Sequence, residues 1–95
     1  MKKRTFKIYS SIREWNFSGL KTGKETYLTT IPDVLPTVKE IRSIVRSLFP
    51  EYEIDETDAP LSKCIHENLD IGMISVPLAT HDMFISRSCV FMEVF

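Results

Sequence analysis

Pro36-Thr37-Val38-Lys39-Glu40-Ile41-Arg42-Ser43-Ile44-Val45-Arg46-Ser47-Leu48-Phe49-Pro50 is the stretch on which the fold turns. Thr37 followed three residues later by Glu40 fits a capping box, in which the two side chains satisfy each other's exposed amides at a helix start. At 100° per residue, Val38, Ile41, Ile44, Val45, Leu48 and Phe49 fall on one apolar stripe, with Lys39, Arg42 and Arg46 beside it. Pro50 closes the segment, so the spacing predicts an amphipathic helix over about Thr37–Phe49.

On either side of this helix the period changes from 3.6 to 2. Upstream, Phe6 and Ile8 alternate with Thr5, Lys7 and Tyr9 in a strand from about Lys3 to Ile12. Glu25 to Ile31 resumes the pattern, and the residues between, Trp15 to Lys24, read as a long basic loop closing a hairpin. Pro32-Asp33-Val34-Leu35-Pro36 then breaks the second strand. Downstream, Glu51 to Asp58 is acidic, with Tyr52 and Ile54 alternating, and reads as a short edge strand or an extended loop. Asp58-Ala59-Pro60 opens a second helix whose Leu61, Cys64, Ile65 and Leu69 share a face, with the Asp58 carboxylate as cap. Asp70 and Gly72 end it. Ile71–Leu78 and Met83–Phe95 then read as a C-terminal hairpin.

The order is β-β-α-(β)-α-β-β, an α+β fold: an antiparallel or mixed sheet of four to five strands with two helices on one face. Ninety-five residues with 43% hydrophobic composition suit a single domain, 1–95, with enough apolar surface to order itself. Val90, Met92 and Val94 alternate with Cys89, Phe91 and Phe95, so the last strand is apolar on both faces. Such a strand is central in its sheet or lies in an interface.

Charges interrupt every apolar run near the N-terminus, and no stretch is long enough to cross a bilayer, so the expected compartment is the cytoplasm, with no membrane partner. Cys64 and Cys89 are then read as reduced thiols. The formal net charge of −1 conceals a division. Residues 1–46 hold ten Lys or Arg against four acids, giving +6, and the remainder holds two against nine, giving −7.

No catalytic or cofactor motif stands out. Gly19-Leu20-Lys21-Thr22-Gly23-Lys24-Glu25 has three residues between its glycines where a phosphate-binding loop needs four, and β-forming residues follow where a helix should. Cys64, His66, His81 and Cys89 lack paired metal-ligand spacing, and Cys64 and His66 point about 200° apart on a helix. The run Glu51, Glu53, Asp55, Glu56 and Asp58 lacks the ligand order of a calcium loop. No metal or cofactor is therefore expected. His66 and His81 would serve acid–base hydrolysis only in company that the local sequence does not mark.

What remains is binding. Lys39, Arg42 and Arg46 at i, i+3 and i+7 form a cationic stripe, joined by Lys21 and Lys24 if the hairpin packs alongside, and Trp15 and Phe17 begin the basic loop. The primary expectation is a small regulatory or accessory module of the size phages and mobile elements use against a host factor, binding a protein partner by surface complementarity. The alternative is RNA or DNA held on Lys21, Lys24, Lys39, Arg42, Arg46 and Trp15, with the aromatics stacking on unpaired bases. A small histidine hydrolase or nuclease is the third reading. A homodimer would let so small a core bury more surface.

Overall fold

A computed structural model describes residues 2–19 and 21–95; Met1 and Leu20 lie outside the described residues. The period-2 segments form four strands: β1 (Arg4–Trp15), β2 (Lys21–Val34), β3 (Met73–Leu78) and β4 (Ile85–Glu93). They make one wholly antiparallel sheet in the order β2-β1-β4-β3. Between β2 and β3 the chain leaves the sheet through α1 (Val38–Leu48), α2 (Leu61–Glu67) and a 3-10 turn at Leu69–Ile71.

The α+β reading holds, with four strands and two helices. The segment from Glu51 to Asp58 is not a fifth strand. Ile54 makes a single bridge to Leu78, Ala79 N donates to Glu53 O at 2.8 Å, and Asp55 N donates to Pro77 O at 2.9 Å. These bonds cover the end of the β3 edge, where Pro77 has no amide to offer another strand.

The first hairpin is longer than its composition suggests. Lys21 to Lys24 extend β2 by pairing with Trp15, Glu14, Arg13 and Ile12, which shrinks the basic loop to the residues after Trp15. Nor does Pro32 end β2. The register passes from Phe6↔Ile31 to Arg4↔Val34, so Pro32 and Asp33 together oppose Thr5 in a bulge, with Asp33 at φ 57°. An edge strand tolerates proline because its outward amide has no ladder partner to lose.

Both helices lie over the face formed by Phe6 and Ile8 of β1, Cys89 and Phe91 of β4, and Ile74, Val76 and Leu78 of β3, all buried. Phe6 and Phe91 meet edge to face at 5.8 Å. Ile41 and Val45 of α1 and Leu61 and Ile65 of α2 complete the core, joined by Val34 and Phe49. β4 is thus a central strand, which accounts for its apolar residues on both faces.

Thr37 caps α1 by accepting from Glu40 N at 3.3 Å, but the capping box is only half closed. The Glu40 carboxylate accepts from Leu35 N instead of returning to Thr37. At α2 the Asp58 cap is replaced: Pro60 occupies the cap position, and the Glu56 carboxylate reaches five residues forward to accept from Leu61 N at 3.0 Å. The backbone before α2 bends sharply enough to bring Glu56, and not Asp58, over the open amide. No helix among the described residues is long and apolar enough to cross a membrane.

Candidate functional site

Phe17, Met83 and Phe84 converge on one end of the sheet, where the β1–β2 turn meets the β3–β4 connection, while exposed Phe95 and Ile71 lie at the opposite end beside Gly72. Trp15 N donates to Phe84 O at 2.9 Å, tying the two turns together. Asn16 Oδ1 accepts from Ser18 N and Ser18 Oγ, and Gly19, at φ 81°, closes the first turn by donating to Asn16 O. In the second turn Asp82 Oδ1 accepts from Phe84 N at 2.9 Å, while the Thr80 hydroxyl donates to Ile85 O at 2.9 Å. Short polar side chains that bond to nearby backbone amides hold such turns without help from a core.

Held in this way, Phe17 is 97% exposed and Met83 86% exposed. The Phe17 ring lies edge-on to Phe84 at 5.3 Å, so two aromatics support each other in water and not within the core. Behind them stands half-buried Trp15, with Lys21 Nζ 5.5 Å from its ring centroid on the paired strand. Arg13 and Lys24 lie farther along the hairpin, and the acids Glu14, Glu25 and Asp82 are interleaved with these cations.

Of the site residues expected from sequence, the structure brings together Trp15 and Lys21. Lys24 pairs with Ile12 and therefore lies on the other face of β2 from the Trp15–Lys21 pair. The stripe on α1 belongs to the helix layer. Lys39 and Arg46 are exposed there, whereas Arg42 is engaged by Glu56 through Nη2–Oε1 at 3.1 Å and Nη1–Oε2 at 3.4 Å. Arg42 thus fastens the link between the helices, and the hydrogen bonds from Arg42 and from Leu61 N hold the Glu56 carboxyl below its ordinary pKa. Asp55 is likewise lowered, by the hydroxyl and amide of Thr57.

Phe84 and Met83 were not singled out from the sequence, which assigns them to a strand. The available signal was Asp82 two residues before Phe84, an Asx-turn spacing that detaches both residues from the strand proper.

A cleft of about 330 Å3 adjoins this end, lined by Tyr52, His81, Asp82 and Arg87 together with Glu51 and Glu53. The Arg87 guanidinium lies 5.1 Å from the Tyr52 ring. Among the described residues neither histidine makes a side-chain hydrogen bond, and no three His, Cys, Asp or Glu side chains converge as a metal site would need. The Cys89 thiol is buried in β4, and desolvation pushes its pKa up to about 12. Burial also raises Cys64, so neither thiol is poised as a nucleophile. The chain matches no protein-family model, no curated protein and no solved structure.

Proposed function

We propose that this chain is a non-enzymatic protein-binding module whose contact surface is the aromatic end of its sheet. The observation that carries the reading is the Phe17–Phe84 pair, with Met83 beside it, exposed on two turns that are hydrogen-bonded to each other. An exposed aromatic costs a folded domain solubility, and aromatic and Met side chains held in place are the usual anchors of protein interfaces. The turns fix the rings beforehand, so little conformational entropy remains to be lost on binding. The interleaving of Glu14, Glu25 and Asp82 with Arg13, Lys21 and Lys24 favours a protein over a polyanion, because a phosphate chain would meet carboxylates as often as cations.

Single-stranded nucleic acid is the second reading. It is supported by Lys21 lying over Trp15, a pairing of cation and ring that suits a stacked base and its phosphate.

A photo-crosslinking phenylalanine analogue at position 17 tests the proposal in its native cell extract, with the same analogue at exposed Ser62 as control. The expected product is one protein adduct specific to position 17, unaffected by nuclease and lost when Phe84→Ala is added. Adducts that vanish with nuclease would transfer the site to nucleic acid. The same adducts from both positions would remove the aromatic end from the account.

A further inference from the structure

The face of the sheet turned away from the helices carries a hollow of about 160 Å3, and its floor follows from the strand register. Ser11 of β1 stands opposite Ser88 of β4, Arg13 opposite Ser86, and Val90 opposite Ser75 of β3, so four hydroxyls share one face. Neighbouring positions there are about 5 Å apart across the strands and about 7 Å apart along them. A side chain of one carbon and one oxygen at each of four places leaves a depression between the longer side chains of Met73 and Arg13.

Ser11 is the informative member. It is only 6% exposed, its hydroxyl makes no hydrogen bond among the described residues, and it lines the hollow. A buried hydroxyl ordinarily has a partner, and leaving it without one is costly. Among the described residues the hydroxyls of Ser75, Ser86 and Ser88 are likewise unengaged within the chain.

The walls carry opposite charges. Glu25 of β2 pairs with Ser11 and Arg13 pairs with Gly23, which makes Arg13 and Glu25 diagonal neighbours on this face. Diagonal positions lie about 7–8 Å apart, within reach of two such long side chains. Both line the hollow, yet among the described residues they form no ion pair with each other or with any other group. The guanidinium and the carboxylate therefore both remain open to a ligand, while Met73 and Val90 give the hollow an apolar wall.

We propose that this hollow binds a small zwitterion, a free α-amino acid with a short aliphatic side chain. Its carboxylate accepts from the Arg13 fork and the serine hydroxyls, its ammonium donates to Glu25, and its aliphatic group rests on Met73 and Val90. Charge and size both select this class. A plain anion such as phosphate satisfies Arg13 and the hydroxyls but faces the Glu25 carboxylate, and a plain amine faces Arg13. Joined through one carbon, the two charges answer both walls. At about 30 Å3 per water the hollow has the volume of about five waters, which suits about six to eight non-hydrogen atoms and is too small for a nucleotide. Because the hollow opens on solvent, the Kd is expected on the order of 1 mM.

Heteronuclear NMR of the full, nitrogen-labelled chain titrated with L-valine tests the site. The expected result is saturable shifts of the Ser11, Ser75, Ser86 and Ser88 amides, with the Phe17 and Phe84 amides unmoved. Isovalerate, which is valine without its ammonium, and isobutylamine, which is valine without its carboxylate, each bind about tenfold more weakly. Arg13→Gln, at an exposed position, weakens valine about tenfold. Glu25→Gln does the same to valine but strengthens isovalerate, because it removes the carboxylate that opposes a simple anion; a merely structural role for Glu25 would move both ligands in the same direction. Absence of saturable shifts at the serine amides overturns the proposal. Equal binding of valine and isovalerate overturns it too, as does a response to inorganic phosphate stronger than that to valine, either of which would make the hollow a plain anion site. Phe17→Ala with Phe84→Ala leaves valine binding intact, which separates the hollow from the aromatic end.

Discussion

Gly72 shows how much of the fold depends on one missing methyl group. It sits at φ 77°, accepts from Glu93 N at 2.7 Å through its carbonyl, and donates to Leu69 O at 3.0 Å. A Cβ there would meet Glu93 Cβ at 3.0 Å and the Phe95 ring at 2.9 Å, so the turn into β3 and the end of β4 can approach only because the residue is glycine. Gly19 has nearly the same φ, 81°, but nothing lies within 4 Å of its added Cβ. The pair separates backbone strain from steric clash. Gly19→Ala is expected to cost about 1 kcal/mol, the left-handed penalty alone, and Gly72→Ala about 2–3 kcal/mol. Urea midpoints of the two variants measure the difference, and equal midpoints would show that Phe95 and Glu93 yield freely.

At the scale of elements, α2 is too short to persist through its own hydrogen bonds and depends on Glu56 at its start. That carboxylate accepts from Leu61 N while receiving both Arg42 nitrogens, which ties the first amide of α2 to the middle of α1. Its folded pKa lies below the ordinary 4.5, so the stabilisation is complete above that value and is lost as pH falls through the lowered folded pKa. The Leu61 amide resonance should therefore titrate with a midpoint below 4.5, and Glu56→Gln should abolish the titration. A midpoint at or above 4.5 would mean that the carboxylate is not held as the geometry indicates.

The capping of the two helices also marks what was legible in the sequence. α1 announced itself because Thr37 and the apolar stripe are local signals, each readable within one turn. The cap of α2 is not local: Asp58 has the better spacing, and only the path of the backbone across the β3 edge delivers Glu56 instead. The same limit applies to β2. Pro32 reads as a strand breaker unless the strand is known to lie at an edge, and strand order is a tertiary property. Met83 and Phe84 look like strand residues for a similar reason. Their β-favouring character is overridden by Asp82, whose bond to Phe84 N turns the chain and leaves both side chains in water.

Over the whole molecule, the order β2-β1-β4-β3 converts a division along the sequence into a division in space. β1 and β2 form one side of the sheet, with Ile44 and Leu48 of α1 against Ile31, and β4 and β3 form the other, with α2 against β3. Most of the ten cations of residues 1–46 therefore lie on the β2–β1–α1 side, and the acids from Glu51 to Asp58 lie beside the β3 edge, while Asp82 reaches the turns at the end of the sheet. Among the described residues two ion pairs cross the boundary, Arg4–Glu93 at 2.9 Å and Arg42–Glu56 at 3.1 Å, and fasten the halves where they meet. Beyond about 10 Å, exposed charges are screened at moderate salt, so a charged surface brought against one flank responds to that flank and not to the net charge of the chain. At pH 7 and about 0.1 M salt, where that screening length applies, the protein should consequently be retarded on a sulfonate exchanger despite its formal charge of −1, and Lys39→Glu with Arg46→Glu should remove the retardation. Charge reversal at Glu51 and Glu53 should leave that elution unweakened while reducing retention on a quaternary ammonium exchanger. Elution in the flow-through of the sulfonate column would show that the flanks cancel at the distance of a binding surface, and that the segregation created by the strand order has no reach beyond the two ion pairs that join it.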